Sequence, residues 1–481
     1  MRAVYRREPR APRFFRAAAL LALLLGGPVL AAVPAPVARA IASARLPAGS
    51  VSFVVVDVHS GRIAASLNPD TPRSPASTIK VVTTFASLDS LGPAYTWHTQ
   101  ALLHGALVDG VLDGDLILKG GGDPYMTLER WWSFVSALRM KGLKSIRGDI
   151  VIDDTAYALA QEDPAAFDGR PHEAYNAEPD ALTVNFQSIE FRLAPNPATR
   201  HVDIVAMPAP VNLTIDNQVG FALGRCRGAA ARVDFDVPSQ DWDRVVFSGL
   251  LSRECTERTI TRVLLKPASY AFGTFVELWR ESGGEFTGSW RIGATPPDAQ
   301  PFVSFDSLTL AEVVRLTNKF SNNLMARQLL LTLGEERFGA PATVEKGTRA
   351  LLEWARERGL SLPQMQIDNG SGLSRSTRIS ALEMASVLRA AYHSRFAPEF
   401  MASLPLAGID GTLRSRMQTT PAGMVRLKTG HLDGVTGVAG YVTTASGSTY
   451  VLVSYVNDPR GEYGAGDELH AALVDWVQAN L

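Results

Sequence analysis

The 481-residue sequence carries almost no net charge: 47 Lys and Arg against 48 Asp and Glu leave −1. Nucleic-acid binding normally shows as a basic excess, so that partner class has no support. Eight histidines are present, yet none shows the helical two-histidine spacing of a zinc protease. No glycine-rich phosphate loop opens a helix. Gly120-Gly121-Gly122 runs into Asp123-Pro124, which reads as a turn. Nothing in these patterns calls for a metal or a cofactor. Cysteine is scarce, with only Cys226 and Cys255. Long apolar runs are scarcer still: beyond the N-terminus, no stretch approaches the roughly 18 apolar residues of a membrane helix.

What the N-terminus does contain is an export signal. Arg2, Arg6, Arg7, Arg10, Arg13 and Arg16 form a basic region, Ala17 to Leu25 an apolar core, and Gly26-Gly27-Pro28 a break. Leu30-Ala31-Ala32 then offers small residues for cleavage near Ala31 or Ala32. The core is short for a retained membrane anchor, the other reading of such a segment. Residues 1–32 are therefore expected to be a signal peptide and the protein to be exported. In an oxidising compartment Cys226 and Cys255 can pair; two buried free thiols are the alternative. About 450 residues remain after cleavage, enough for two or three domains.

Ser52 to Val58, the turn His59-Ser60-Gly61 and Arg62 to Leu67 read as a hairpin. From about Thr96 to Pro267 short strands alternate with turn signals, which predicts one or two all-β modules. Within that stretch Trp131-Trp132 begins a short helix and reads as core, and Asn212-Leu213-Thr214 matches a glycosylation acceptor. Phe272, Phe275, Val276 and Trp279 share one helical face. Two helices, Leu308 to Asn318 and Asn322 to Leu333, follow. Val425 to His431 reads as a strand, the next hairpin runs from Gly434 to Val456, and an amphipathic helix closes the chain.

Chemistry concentrates at Pro75-Ala76-Ser77-Thr78-Ile79-Lys80. Pro75 stands just outside a helix and Ser77 in its first turn. Residues three apart share a helical face, so the Lys80 amine lies beside the Ser77 hydroxyl. An amine of lowered pKa can take the serine proton, and free N–H groups at a helix start favour developing negative charge. Ser-x-x-Lys is weak alone. Two further elements accompany it: Ser321-Asn322-Asn323 at a helix junction, and Lys428-Thr429-Gly430 on a strand whose glycine lets the backbone approach something closely. Ser66-Leu67-Asn68 also fits Ser-x-Asn, but it sits at a strand end with no second helix to present it.

This ordered set resembles the signature of active-site serine penicillin-binding proteins and serine β-lactamases. Tyr175-Asn176-Ala177, Val184-Asn185-Phe186, Phe320 to Asn323 and Ser371-Gly372-Leu373-Ser374-Arg375 narrow the resemblance. They point to class C low-molecular-mass penicillin-binding proteins, the D-alanyl-D-alanine carboxypeptidases/endopeptidases of serine peptidase family S13. The 240 positions from 81 to 320 that separate the first two motifs exceed what a compact β-lactamase has.

The resemblance implies an α/β fold of the α+β kind. Its β-lactamase/transpeptidase-like domain, an antiparallel sheet flanked by helices, is expected over 33–95 and 268–481, with a strand-rich insertion over 96–267. It also implies roles. Ser77 attacks a D-Ala-D-Ala carbonyl and forms an acyl-enzyme. Lys80 accepts its proton, Ser321 relays a proton to the leaving amine, and Asn323 holds the acyl part and steadies Lys80. Lys428 supplies positive charge, Thr429 a hydroxyl for a carboxylate, and Gly430 close approach; the N–H groups of Ser77 and His431 form the oxyanion hole. Relatives usually carry Thr or Ser where His431 stands. A backbone donor survives that change, while a lost hydroxyl alters carboxylate binding. Ser371 to Arg375 reads as a structural loop. The expected partners are peptidoglycan stem peptides, with β-lactams as acylating inhibitors, in a periplasmic setting with cell-wall or peripheral membrane association. A β-lactamase-type hydrolase and a catalytically silent wall-binding protein are the alternatives.

Overall fold

The computed structural model describes residues 33–481 except 161–162, 419 and 463. The expected signal peptide lies outside the described residues. Among them, no helix is long and apolar enough to cross a membrane.

A five-stranded antiparallel sheet forms the first unit, in the order Val425–Leu432, Val435–Thr443, Thr449–Asn457, Val51–Asp57, Ile63–Leu67. Both faces are covered, and the two-residue period sorts side chains between them. Phe53, Val55 and Leu427 pack against Val37, Leu469, Leu473 and Val477 of the helices Ala35–Ser43 and Ala465–Asn480. Val54, Val56, Ala439 and Val453 face the opposite way, onto Phe85 and Leu388. Phe85 belongs to the helix Lys80–Leu91, buried at every residue from Lys80 to Asp89. A helix enclosed on all sides is a core element, and here the turn with Ser77 lies at its start. The N- and C-terminal parts of the chain thus meet in one sheet, because the strands Val51–Asp57 and Thr449–Asn457 pair directly.

The inserted part forms three further sheets: a seven-stranded one beginning at His98–Val108, a three-stranded one and a four-stranded one. It is not all-β. The helices Leu128–Met140 and Pro267–Glu281 fill its core with Trp131, Phe134, Phe275 and Trp279. Nor does its sheet end at 267: Gln300–Asp306 pairs with His98–Val108, and Trp290–Ile292 with Ile150–Asp153. Composition cannot reveal this return, because the boundary is set by pairing partners distant in sequence. The tryptophan pair divides: Trp131 is fully buried, while Trp132 is 55% exposed. Asn212 is no accessible acceptor either, since its amide donates to the Ser269 carbonyl and hydroxyl at 3.1 and 2.8 Å.

Cys226 and Cys255 are joined by a disulfide across a sequence separation of 29. Both lie in the insertion, far along the chain from Ser77. Closing a loop of that length restricts the unfolded chain by about 3.6 kcal/mol. Replacing both cysteines with serine is expected to lower the melting temperature of the insertion by several degrees. The rate of Ser77 acylation should stay within about twofold of wild type; calorimetry and a labelling time course measure the two.

Candidate active site

Ser77 sits in a 3₁₀ turn, Ala76–Ile79, that runs into the helix beginning at Lys80. The difference from the expected first α-turn is favourable, because residues three apart eclipse in a 3₁₀ turn. Lys80 Nζ lies 2.9 Å from Ser77 Oγ. Two more oxygens surround the amine: Asn323 Oδ1 at 2.7 Å and the Ser371 carbonyl at 2.5 Å. Both can only accept. A neutral amine has two hydrogens and one lone pair; the two acceptors take the hydrogens and leave the lone pair for the serine proton. Lys80 is fully buried. Burial, with a smaller contribution from the nearby Lys428 charge, holds its pKa well below the usual lysine value.

Ser321 and Asn323 flank the junction of the helices Leu310–Phe320 and Asn323–Phe338. Ser321 caps the first helix in the left-handed region, at φ 57°. That conformation costs a non-glycine residue roughly 1 kcal/mol, and it turns the chain so that both side chains enter one cleft. Lys428 Nζ donates to Ser321 Oγ at 2.7 Å and to the Thr429 carbonyl at 2.8 Å. Lys428 is fully buried, which lowers its pKa from 10.5 to about 7. That displacement corresponds to on the order of 5 kcal/mol against the charged form. Its positive charge is therefore partial at neutral pH.

Lys428 belongs to the edge strand of the five-stranded sheet. Leu427 N–H donates outward, away from the sheet, to the Pro405 carbonyl. The two-residue period then turns the backbone groups of Thr429 and His431 to the same open edge. Gly430 explains why the strand can lie there: a Cβ at this position would stand 2.6 Å from the Pro75 carbonyl and 3.2 Å from Ser77 N. The Thr429 hydroxyl donates to Thr412 Oγ1 at 2.7 Å, and the His431 side chain is exposed.

Ser77, Lys80 and Asn323 thus form one hydrogen-bonded set and Ser321 and Lys428 a second, close enough for the Lys428 charge to act on Lys80, with Thr429 and Gly430 beside them. Three contributors were given no chemical task by the sequence. The loop around Ser371 supplies a carbonyl to Lys80. Tyr175, from the insertion, accepts from Asn323 Nδ2 through its carbonyl at 3.1 Å. Thr412 anchors Thr429. A carbonyl acceptor leaves no residue-type preference; the Tyr175 and Ser371 segments were marked by the family resemblance, and Ser371 also by Gly370 and Gly372 on either side of it, both at positive φ.

Residues 33–480 match the D-Ala-D-Ala carboxypeptidase 3 (S13) family. The chain belongs to that family. This S13 protein is 27% identical over 427 residues to the D-alanyl-D-alanine carboxypeptidase DacB of Haemophilus influenzae, covering 88% of each chain. It is 30% identical over 429 residues to the D-alanyl-D-alanine carboxypeptidase of an Actinomadura species, covering 85% of this chain and 78% of that one. The crystal structure of H. influenzae penicillin-binding protein 4 superimposes with a TM-score of 0.79 at 26% identity, covering 92% of this chain and 99% of that one. A second structure of that protein holds a novel β-lactam. The S13 chain shares its transpeptidase/β-lactamase-like fold.

Gly430→Ala is expected to push the edge strand off the nucleophile turn and slow acylation by about 100-fold. The melting temperature should move little, because the strand's outer edge is what shifts; stopped-flow acylation and thermal denaturation check this.

Proposed function

We propose that this S13 protein is a serine-type D-Ala-D-Ala carboxypeptidase/endopeptidase acting on peptidoglycan stem peptides after export to the periplasm. One observation carries the mechanism: a buried amine, poised as a base by two fixed oxygen acceptors, lies 2.9 Å from the Ser77 hydroxyl. Ser77 Oγ attacks the carbonyl carbon of the D-Ala-D-Ala bond as its proton passes to Lys80 Nζ. The oxyanion is met by the Ser77 and His431 N–H groups, each worth about 3 kcal/mol of transition-state stabilisation. Ser321, whose oxygen already accepts from Lys428, passes its own hydrogen to the leaving nitrogen and is reprotonated by the proton Lys80 took from Ser77, so that the serine hydrogen ends on the departing amine and Lys80 is neutral again. The C–N bond breaks, D-alanine leaves, and water hydrolyses the resulting ester. Thr429, turning its one hydroxyl hydrogen from Thr412 to the substrate, donates to the terminal carboxylate, as it would to the carboxylate of a penicillin acylating the same serine.

Among the described residues, no carboxylate bonds to Ser77 or Lys80. A lactamase that deacylates rapidly needs a base for water, so the peptidase reading is favoured over the β-lactamase one. The intact cluster disfavours a silent wall-binding protein.

Fluorescent penicillin should label the wild type stoichiometrically and leave Ser77→Ala unlabelled; a label that persists in Ser77→Ala refutes the assignment of the nucleophile. D-Ala release from a pentapeptide should exceed turnover of a chromogenic cephalosporin.

The two buried amines also set the pH dependence. Lys80 acts neutral, so activity falls as acid protonates it. Lys428 acts charged, and its charge is lost as pH rises through about 7. The acylation rate should therefore decline on an alkaline limb near that pH. Lys428→Arg, which stays protonated, should remove the limb at some cost in overall rate; a pH–rate profile of both proteins decides it.

A further inference from the structure

Lys319 is 3% exposed although it lies at the end of an amphipathic helix. Its amine reaches Asp410 Oδ1 and Oδ2 at 2.9 and 2.7 Å and the Leu404 carbonyl at 2.7 Å. Asp410 Oδ1 in turn accepts from Leu406 N at 2.8 Å, which folds the segment 404–410 onto itself. Gly411 follows at φ 56°; a Cβ there would stand 2.6 Å from the Lys319 carbonyl. The segment and the helix end are therefore in close register. One residue further, Thr412 Oγ1 receives the Thr429 hydroxyl.

These links close a circuit. From Lys319 it crosses to Asp410, follows the chain to Thr412, crosses to Thr429, steps to Lys428, crosses to Ser321 and returns over two residues to Lys319. Every crossing is a hydrogen bond of 2.7 Å. Three groups with proposed chemical tasks, the Ser321 and Thr429 hydroxyls and the Lys428 amine, lie on it; Lys319 and Asp410 do not touch the nucleophile. An ion pair with one buried partner is a weak source of net stability, since desolvation offsets its attraction, but it fixes geometry.

We propose that the Lys319–Asp410 ion pair is a positioning device for carboxylate recognition, holding Thr412 so that Thr429 Oγ1 is fixed in the place from which its hydrogen can turn to the C-terminal carboxylate of the substrate. The inference rests on the peptidase reading, in which Thr429 receives that group. A merely structural pair would act on every acyl donor alike. A carboxylate-orienting pair discriminates between donors with and without the negative charge.

The test compares a penicillin with its carboxylate methyl ester as acylating agents of the full-length protein. In Asp410→Asn, acylation by the free acid should slow about tenfold, and acylation by the ester less than about twofold. Lys319→Met should behave the same way, and Lys319→Arg should restore most of the acid preference. Equal loss with acid and ester, or no loss with either, overturns the proposal. Should Asp410→Asn fail to fold, Thr412→Val removes only the last link and must show the same selective loss. Wild-type protein that resists acylation at Ser77 by the free acid would instead overturn the peptidase reading itself.

Discussion

An amine enclosed by protein and kept from water is the constraint around which this molecule is arranged. In water, lysine at neutral pH is protonated and cannot accept a proton. Burial of Lys80 makes the charge costly, and the second buried amine of Lys428 adds to that cost. Desolvation alone would leave polar hydrogens unsatisfied. The Asn323 side chain and the Ser371 carbonyl supply the acceptors, and their positions decide where the lone pair points. Each of the three groups comes from a different part of the chain.

The fold supplies that convergence through its sheet. Pairing of the N-terminal and C-terminal strands brings residues near 55 beside residues near 453. The strand carrying Lys428 is then an edge, with one side bonded to the sheet and the other free to face the nucleophile turn. An exposed edge normally invites unwanted pairing. Here the Pro405–Ala407 segment occupies its first part, through the bonds Leu427 N–H to Pro405 and Ala407 N–H to Val425. The remainder is left open as the floor of the cleft.

The insertion is more than an appendage. The Tyr175 carbonyl holds the Asn323 amide. Phe167 packs with Ala76, Leu373 and Leu432 beside the nucleophile, and the Arg375 guanidinium lies 4.3 Å above its ring. Tyr175 and Asn176 are fixed in turn by Asp168, which accepts from the Tyr175 hydroxyl at 2.7 Å and the Asn176 amide at 3.1 Å. Residues as far apart in the linear chain as Ala76 and Leu432 thus border a single cleft, and the insertion bonds directly to the amide that steadies Lys80.

The amino-acid sequence by itself determined the local chemistry. Ser77 and Lys80 three residues apart, Ser321 and Asn323 at a helix junction, and Gly430 in a strand each follow from short-range geometry, which depends only on neighbours along the chain. The tertiary structure decided the rest: which carbonyls surround Lys80, that Thr412 fastens Thr429, that Lys428 is desolvated to near-neutral pKa, and that strands after residue 285 return to the inserted sheet. The physical reason is that backbone acceptors, burial and strand partners are properties of position in space. A carbonyl is the same group in every residue, so no side-chain pattern marks the ones that matter.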